Sequence, residues 1–288
     1  MPSFANIIQL SKVRLTSSVV FSAIAGYFIA ADQFDVLTFT YLVIGGFLVV
    51  AASNGFNQIL EKEYDKLMAR TADRPLPTER MSISEAFWIS LMMGLLGVFL
   101  LYRINFLSGF FGTLSIILYV LVYTPLKRIS PISVFVGAFP GAIPFMLGWI
   151  AASTNGFNIE PVLLFAVQFI WQFPHFWAIA WVCDDDYKKA GFKMLPTGKK
   201  DKSTAFQIVF YTIWTILVSL IPMSGYSGAF TISYISGLLI FLAGLFMLSR
   251  SINLMSYMNN LHAARLKYAS IFYLTFIQII FVLDKFIM

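Results

Sequence analysis

Asn57, Glu61 and Asp65 stand four residues apart in the stretch Asn54-Gly-Phe-Asn57-Gln-Ile-Leu-Glu61-Lys-Glu-Tyr-Asp65. On an α-helix this spacing lines three oxygen-bearing side chains along one face. Two carboxylates four apart repel each other, so folding alone gives no reason to place them there. A hard divalent cation reverses the sign of that cost. Mg²⁺ takes one or two carboxylates and fills its remaining positions with water and phosphate oxygens. Arg70 and Arg74 follow directly, before Pro75, and their guanidinium forks suit phosphate. The pattern points to a Mg²⁺-assisted site for a phosphorylated substrate. The plainer reading is a hydrated, salt-laced helix end in which Lys62 and Lys66 neutralise the acids.

A second acidic run, Asp184-Asp185-Asp186, closes an apolar segment that contains Gln168, Trp171, Gln172, Pro174 and His175. Three carboxylates at a helix C-terminus oppose the macrodipole. A bound metal or a cationic partner resolves that conflict, and so does simple hydration. Lys199 and Lys200 lie downstream, and Lys127-Arg128 close an earlier apolar run. An ionisable residue deep in an apolar segment, such as His175, marks a functional site by default. The alternative is a helix kinked at Pro174 in which His175 satisfies a freed carbonyl. Gly137, Gly141 and Gly148, with Pro140 and Pro144, read as close helix packing or a break. The 30 Phe, 13 Tyr and 6 Trp are mostly lipid contacts and interfacial anchors; a few could wall a cavity whose π faces stabilise a carbocation.

The elements that must position these groups are almost wholly apolar. Of 288 residues, 59% are hydrophobic and 12% charged, and the mean hydropathy is +0.79. A soluble domain carries about a quarter charged residues, so a soluble enzyme, a disordered chain and a small disulfide scaffold are excluded. Cys183 is the single cysteine, which removes an intramolecular disulfide and a thiolate metal cluster. Runs of spanning length fall at 14–31, 37–60, 84–102, 106–124, 131–152, 161–183, 204–222, 229–249 and 268–286. The expected fold is an all-α membrane protein of nine transmembrane helices in a single domain, 1–288. All but two of the 20 Lys and Arg, Arg103 and Lys285, fall in connectors on one side. The positive-inside rule places that side in the cytoplasm, with the N-terminus inside and the C-terminus outside, and an odd number of spans demands the same. The net charge of +6 is thus a membrane-topology signal, and no nucleic-acid partner is expected. Both acidic motifs fall on the cytoplasmic side, each after the second helix of a quartet. This layout suggests an internal duplication of helices 1–4 and 5–8 followed by a ninth. Residues 1–11 carry no presequence or cleavage-site pattern, so the first run is expected to persist as a helix in a bacterial cytoplasmic membrane.

The segment Asn57-x-x-x-Glu61-x-x-x-Asp65-x-x-Met68-x-Arg70-Thr71-x-x-Arg74-Pro75-Leu76 resembles the first aspartate-rich motif of the UbiA-type intramembrane prenyltransferases. Within that family it is similar to the protoheme IX farnesyltransferase (haem O synthase) branch. The same branch is matched by Tyr123-Thr-Pro-Leu-Lys127-Arg128, by Gly137-x-x-x-Gly141-Ala-x-Pro144, and by Trp171-Gln-x-Pro174-His175-Phe. It is also matched by Asp186-Tyr187-x-x-Ala190-Gly191-x-x-Met194-Leu195-Pro196 and by Ser270-Ile-x-Tyr273-Leu. Glu61 stands where the family more often has Asp, one methylene longer but still a hard oxygen ligand. The resemblance implies nine helices around a lipid-accessible cavity, with farnesyl diphosphate and haem B as substrates and haem O as product. It implies Mg²⁺ held by Asn57, Glu61 and Asp65 on one side and by Asp186 with Asp185 on the other. Asn57, Glu61, Asp65 and Asp186 would be the catalytic set, and Arg70, Arg74, Lys127, Arg128 and Lys199 would take the diphosphate. His175 would contact the haem or ligate its iron. A haem A synthase and a haem-copper terminal oxidase are the implied consumers of the product.

Two other functions fit parts of the pattern. A sister prenyltransferase with an aromatic quinone precursor as acceptor would share the metal and diphosphate residues; the Trp171–Phe176 and Ala190–Pro196 segments favour haem. A secondary transporter would place its ion site near the midplane on broken helices, whereas the acids here lie at helix ends.

Overall fold

A computed structural model describes residues 2–153 and 157–287, and every regular element in it is helical. Nine helices among the described residues are long and apolar enough to cross a membrane, in the chain order the hydropathy predicts. They are α2 (Val13–Ala30), α3 (Val36–Asp65), α4 (Ile83–Ile104), a rod made of α5 (Phe106–Ile117), a π-helical segment (Leu118–Tyr123) and α6 (Thr124–Ile129), then α7 (Ser133–Ala152), α8 (Ile159–Val182), α10 (Lys202–Leu220), α11 (Tyr234–Tyr257) and α12 (Asn260–Ile287). Two short helices accompany them, α1 (Phe4–Ser11) before the first span and α9 (Asp184–Lys189) after the sixth.

The ends of two spans differ from expectation. The expected connector 250–267 is almost entirely helical: α11 runs on to Tyr257, Met258 turns the chain at φ 52°, and α12 begins at Asn260. The hydropathy pattern stops at the first charged residue. A helix does not, because Arg250, Arg265 and Lys267 can carry their charged heads to the interface on apolar stems.

α3 matters most for the site. Asp35 caps it, its carboxylate accepting from the N–H groups of Leu37 and Thr38. Thirty residues at 1.5 Å each make a rod of about 45 Å, longer than the ~30 Å hydrocarbon layer. Its last turns, with Glu61 and Asp65, therefore reach beyond the apolar layer while staying wrapped by protein.

α7 is the central helix, with 78% of its spanning window buried against 22% for α4. Its two prolines leave it continuous, and its glycines serve packing. A Cβ on Gly148 would lie 2.0 Å from the Ala23 carbonyl oxygen, and one on Gly26 would lie 2.2 Å from that of Phe145. Only paired glycines let α2 and α7 approach so closely. Gln168 and Gln172 of α8 donate to the Gly141 and Ala138 carbonyls of α7, so both act as ties between helices. α12 closes the bundle through Gln278, which donates to Ser22 Oγ of α2 at 2.9 Å.

Candidate active site

The three oxygen-bearing residues of α3 are all buried: Asn57 is 2% exposed, Glu61 5% and Asp65 0%. Each rung of this face is met by a partner from elsewhere. Lys127 Nζ lies 2.8 Å from Glu61 Oε1, and Arg74 Nη1 lies 2.6 Å from Asp65 Oδ2. Asn57 donates to Thr124 Oγ1 at 3.1 Å and accepts from Lys12 Nζ at 3.4 Å. Asp65 Oδ1 is buried with no hydrogen-bond partner.

Local sequence explains how each base arrives. Pro125 has no N–H, and the fourth span widens into its π-helical segment just before it. Thr124 Oγ1 bonds back to the Tyr119 carbonyl, and Thr124 and Lys127, three residues apart, share the face toward α3. After α3 the chain folds back on itself: Thr71 Oγ1 donates to the Asp65 carbonyl, while Met68 and Leu76 bury beneath. That hook returns Arg74 to Asp65. Lys12 sits between α1 and α2 in the left-handed region, at φ 46°. This is a strained conformation for a non-glycine residue, and it turns the lysine into the site. Burial, helped by repulsion from Arg74 and Lys127, brings the Lys12 ammonium down to a pKa of about 7.

Lys62 and Lys66 do not neutralise the inner acids as the plainer reading has it. Lys66 pairs with Glu63 on the exposed side, at 3.0 Å.

The second acidic run is handled differently. Asp184 is buried and pairs with Lys188 at 2.7 Å along α9, with Lys200 at 4.0 Å; Asp186 lies 3.5 Å from Lys189, and Asp185 is exposed. Among the described residues no three His, Cys, Asp or Glu side chains converge as a metal-binding group. The two acidic motifs are linked instead by aromatic and basic groups. Tyr187 of α9 takes the Arg70 guanidinium at 5.9 Å from its ring, and burial raises its phenol pKa. The Lys193 N–H donates to the Lys127 carbonyl at 2.7 Å, bringing Phe192 to 5.8 Å from Lys127 Nζ. Arg128 lies over Tyr64 at 4.3 Å and donates to its hydroxyl. Lys199 is exposed, and its carbonyl accepts from the hydroxyls of Thr197 and Thr204.

Of the sequence candidates, Asn57, Glu61, Asp65, Arg74 and Lys127 thus form one largely buried cluster; Arg128 lies in α6, Asp185 and Asp186 in α9, and Arg70 and Lys199 in the segments after α3 and α9. Lys12 and Thr124 belong to the cluster and were not singled out by sequence reasoning. Lys12 looked like one more positive-inside charge. Two open cavities of about 640 and 630 Å³ lie at the opposite end of the bundle, and neither includes a residue of this cluster.

His175 does not serve a freed backbone carbonyl. Its Nδ1 faces Ser270 Oγ of α12 at 2.8 Å, and its ring stacks on Trp171 at 4.4 Å.

The model of the UbiA prenyltransferase family matches residues 19–275. A protein of Christiangramia forsetii named protoheme IX farnesyltransferase is 57% identical over 279 residues, covering 97% of this chain and 93% of its own. One of the same name from Flavobacterium psychrophilum is 49% identical, covering 97% and 94%. Among solved structures, a digeranylgeranylglyceryl phosphate synthase superposes with a TM-score of 0.80 at 20% identity, covering 97% of both chains. A UbiA homologue from Archaeoglobus fulgidus bound to DMAPP and Mg²⁺ superposes with a TM-score of 0.69 at 15% identity, covering 94% of this chain and 99% of that one. Nine spans in the expected order, a buried acid–base cluster and matches across nearly the whole length lead to one assignment: the chain is a multi-pass membrane enzyme that belongs to the UbiA prenyltransferase family.

Proposed function

We propose that the protein transfers the farnesyl group of farnesyl diphosphate to a vinyl group of haem B, giving haem O and diphosphate. The observation that carries the transfer chemistry is the makeup of the cluster. Arg74 and Lys127 pair with the two buried carboxylates and Lys12 stands beside them as a third base, so a polyanionic leaving group that draws a proton onto Lys12 would meet an excess of positive charge. The near relatives' shared name supports haem as the acceptor.

The donor set fits Mg²⁺. Asn57, Glu61 and Asp65 offer only hard oxygens, and Asp65 Oδ1 is buried without a partner, which suits a cation that prefers carboxylate and phosphate ligands. When bound, Mg²⁺ supplies Lewis-acid neutralisation of the diphosphate. Asn57, Glu61 and Asp65 would hold it, with Asp186 and Asp185 of α9 as candidates for a second ion. Lys127 and Arg74 are already desolvated and aimed, so they stabilise developing negative charge without reorganising. Lys12 adds a third positive charge at the Asn57 end once it takes up a proton, and Arg70, Arg128 of α6 and Lys199 are the candidates for the diphosphate's remaining charge.

The C–O bond of the donor breaks, its electron pair leaving with the diphosphate. The allylic cation is attacked by the vinyl π electrons, forming the new C–C bond. Water adds to the resulting cation and loses a proton, leaving the hydroxyl. Tyr119 and Tyr123 of the π-helical segment lie beside Lys127, whose Nζ is 4.5 Å from the Tyr123 ring, and such π faces stabilise a passing cation. His175, about 10 Å deeper than the end of α8, is the proposed haem contact. The proposed setting is a bacterial cytoplasmic membrane with the cluster facing the cytoplasm, supplying haem to a haem A synthase or a haem-copper oxidase.

The test is an assay of purified protein in lipid with haem B, farnesyl diphosphate and Mg²⁺, read by mass analysis of the extracted haem. A hydroxyethylfarnesyl haem should appear, and should vanish with EDTA and in Asp65→Asn. Prenylation of an aromatic acid in place of haem would move the protein to the quinone branch of the family.

A further inference from the structure

The motif Ser270-Ile-x-Tyr273 has no part in diphosphate chemistry, yet Ser270 is fully buried and takes two side chains of α8 at once. Trp171 and His175, one helical turn apart, stack with ring planes 16° apart. The Trp171 indole N–H donates to the Ser270 carbonyl at 2.7 Å, and His175 Nδ1 sits 2.8 Å from Ser270 Oγ. Ser270 Oγ also lies 2.8 Å from the Lys267 carbonyl, to which it donates.

A serine hydroxyl has one proton. Once that proton is given to the Lys267 carbonyl, Oγ can only accept from His175, so Nδ1 must carry the imidazole proton. Both hydrogen bonds are made in this tautomer and in no other. The remaining nitrogen, Nε2, then keeps its lone pair, and no hydrogen bond to it is formed among the described residues. Trp171 and Ser270 are buried whereas His175 is half-buried, so the clamp is sealed while part of the histidine stays accessible. Histidines that ligate metals are set in this way, with the far nitrogen donating to a fixed acceptor.

We propose that Ser270 is a positioning residue for the acceptor substrate: it locks His175 in the Nδ1–H tautomer and orients Nε2 to ligate the haem iron. This rests on the reading of haem as the acceptor. A bare interhelical tie would make the same contacts and fix the same tautomer, but it would have no use for the lone pair left on Nε2.

The experiment is a haem B titration of the full-length protein in lipid nanodiscs, followed by the Soret band and by resonance Raman of the ferrous state. The wild type should show an iron–histidine stretch. Ser270→Ala should weaken haem affinity by about 10–100-fold, the usual cost of losing such a support, and shift or lose that stretch. Ser270→Thr, which keeps the hydroxyl, should retain both. His175→Ala should lose the stretch, and added imidazole should restore a histidine-like spectrum. Binding of a farnesyl thiolodiphosphate analogue should be unchanged in all three variants and reports that they are folded. If Ser270→Ala keeps the wild-type affinity and stretch while His175→Ala loses them, the tautomer lock is wrong and His175 still ligates. If His175→Ala keeps the wild-type spectrum, the ligand is another group and the proposal falls. If the wild type binds the diphosphate analogue but no haem, the acceptor reading itself fails.

Discussion

Lys127→Met should separate the structural and chemical roles of the buried ion pair. Lys127 Nζ and Glu61 Oε1 are 2.8 Å apart, with their side chains only 10% and 6% exposed. At an effective dielectric constant of about 20, two unit charges at that distance attract by about 6 kcal/mol, most of which desolvation cancels. Removing one partner leaves the other buried and unpaired, which costs about 3–5 kcal/mol. Lys127→Met should therefore lose about that much stability in an SDS unfolding titration. The double variant Lys127→Met/Glu61→Gln removes both charges and should regain most of it. Activity should not follow. Lys127 is proposed to stabilise charge that develops on the leaving diphosphate, and losing one such preorganised donor costs about 10²–10³ in kcat. The double variant should stay at least that far down in farnesyl transfer. Recovery of activity together with stability would refute the assignment, and so would a single variant within twofold of wild-type kcat.

The other predictions probe the remaining supports. At pH 8 the free protein holds Lys12 mostly neutral, because its pKa is about 7. Binding a non-reactive farnesyl thiolodiphosphate in the absence of metal restores the charge, so calorimetry in buffers of different ionisation enthalpy should show uptake approaching one proton; uptake that persists in Lys12→Met would refute this. Thr124→Val leaves Asn57 Nδ2 without its 3.1 Å acceptor and should cost about 1–3 kcal/mol, read in the same unfolding titration; no loss would mean the amide finds another partner. Gly148→Ala would put a methyl 2.0 Å from the Ala23 oxygen and 2.6 Å from the Tyr27 nitrogen. Both are backbone atoms that cannot step aside, so the thermal midpoint should fall by the equivalent of at least about 1–3 kcal/mol. An unchanged midpoint would show that the α2–α7 contact is looser than these distances imply.

What could be read from the sequence was what repeats locally. The span order follows from apolar run length, and the face of Asn57, Glu61 and Asp65 follows from a four-residue period. Buried carboxylates must be paired, but no local rule says by which of 20 bases. Lys127 is 66 positions from Glu61 and Lys12 is 45 from Asn57. Their arrival depends on a π-helical segment before Pro125 and on a left-handed turn at Lys12, neither of which alters hydropathy. Ser270 is hidden for the same reason. Its chemistry lies in accepting from a residue 95 positions away while donating to one three positions away. A serine in an apolar run ordinarily bonds a carbonyl of its own helix, and Ser270 does so. Only the imidazole seated on its free lone pairs shows that this local bond leaves the hydroxyl able to do nothing but accept.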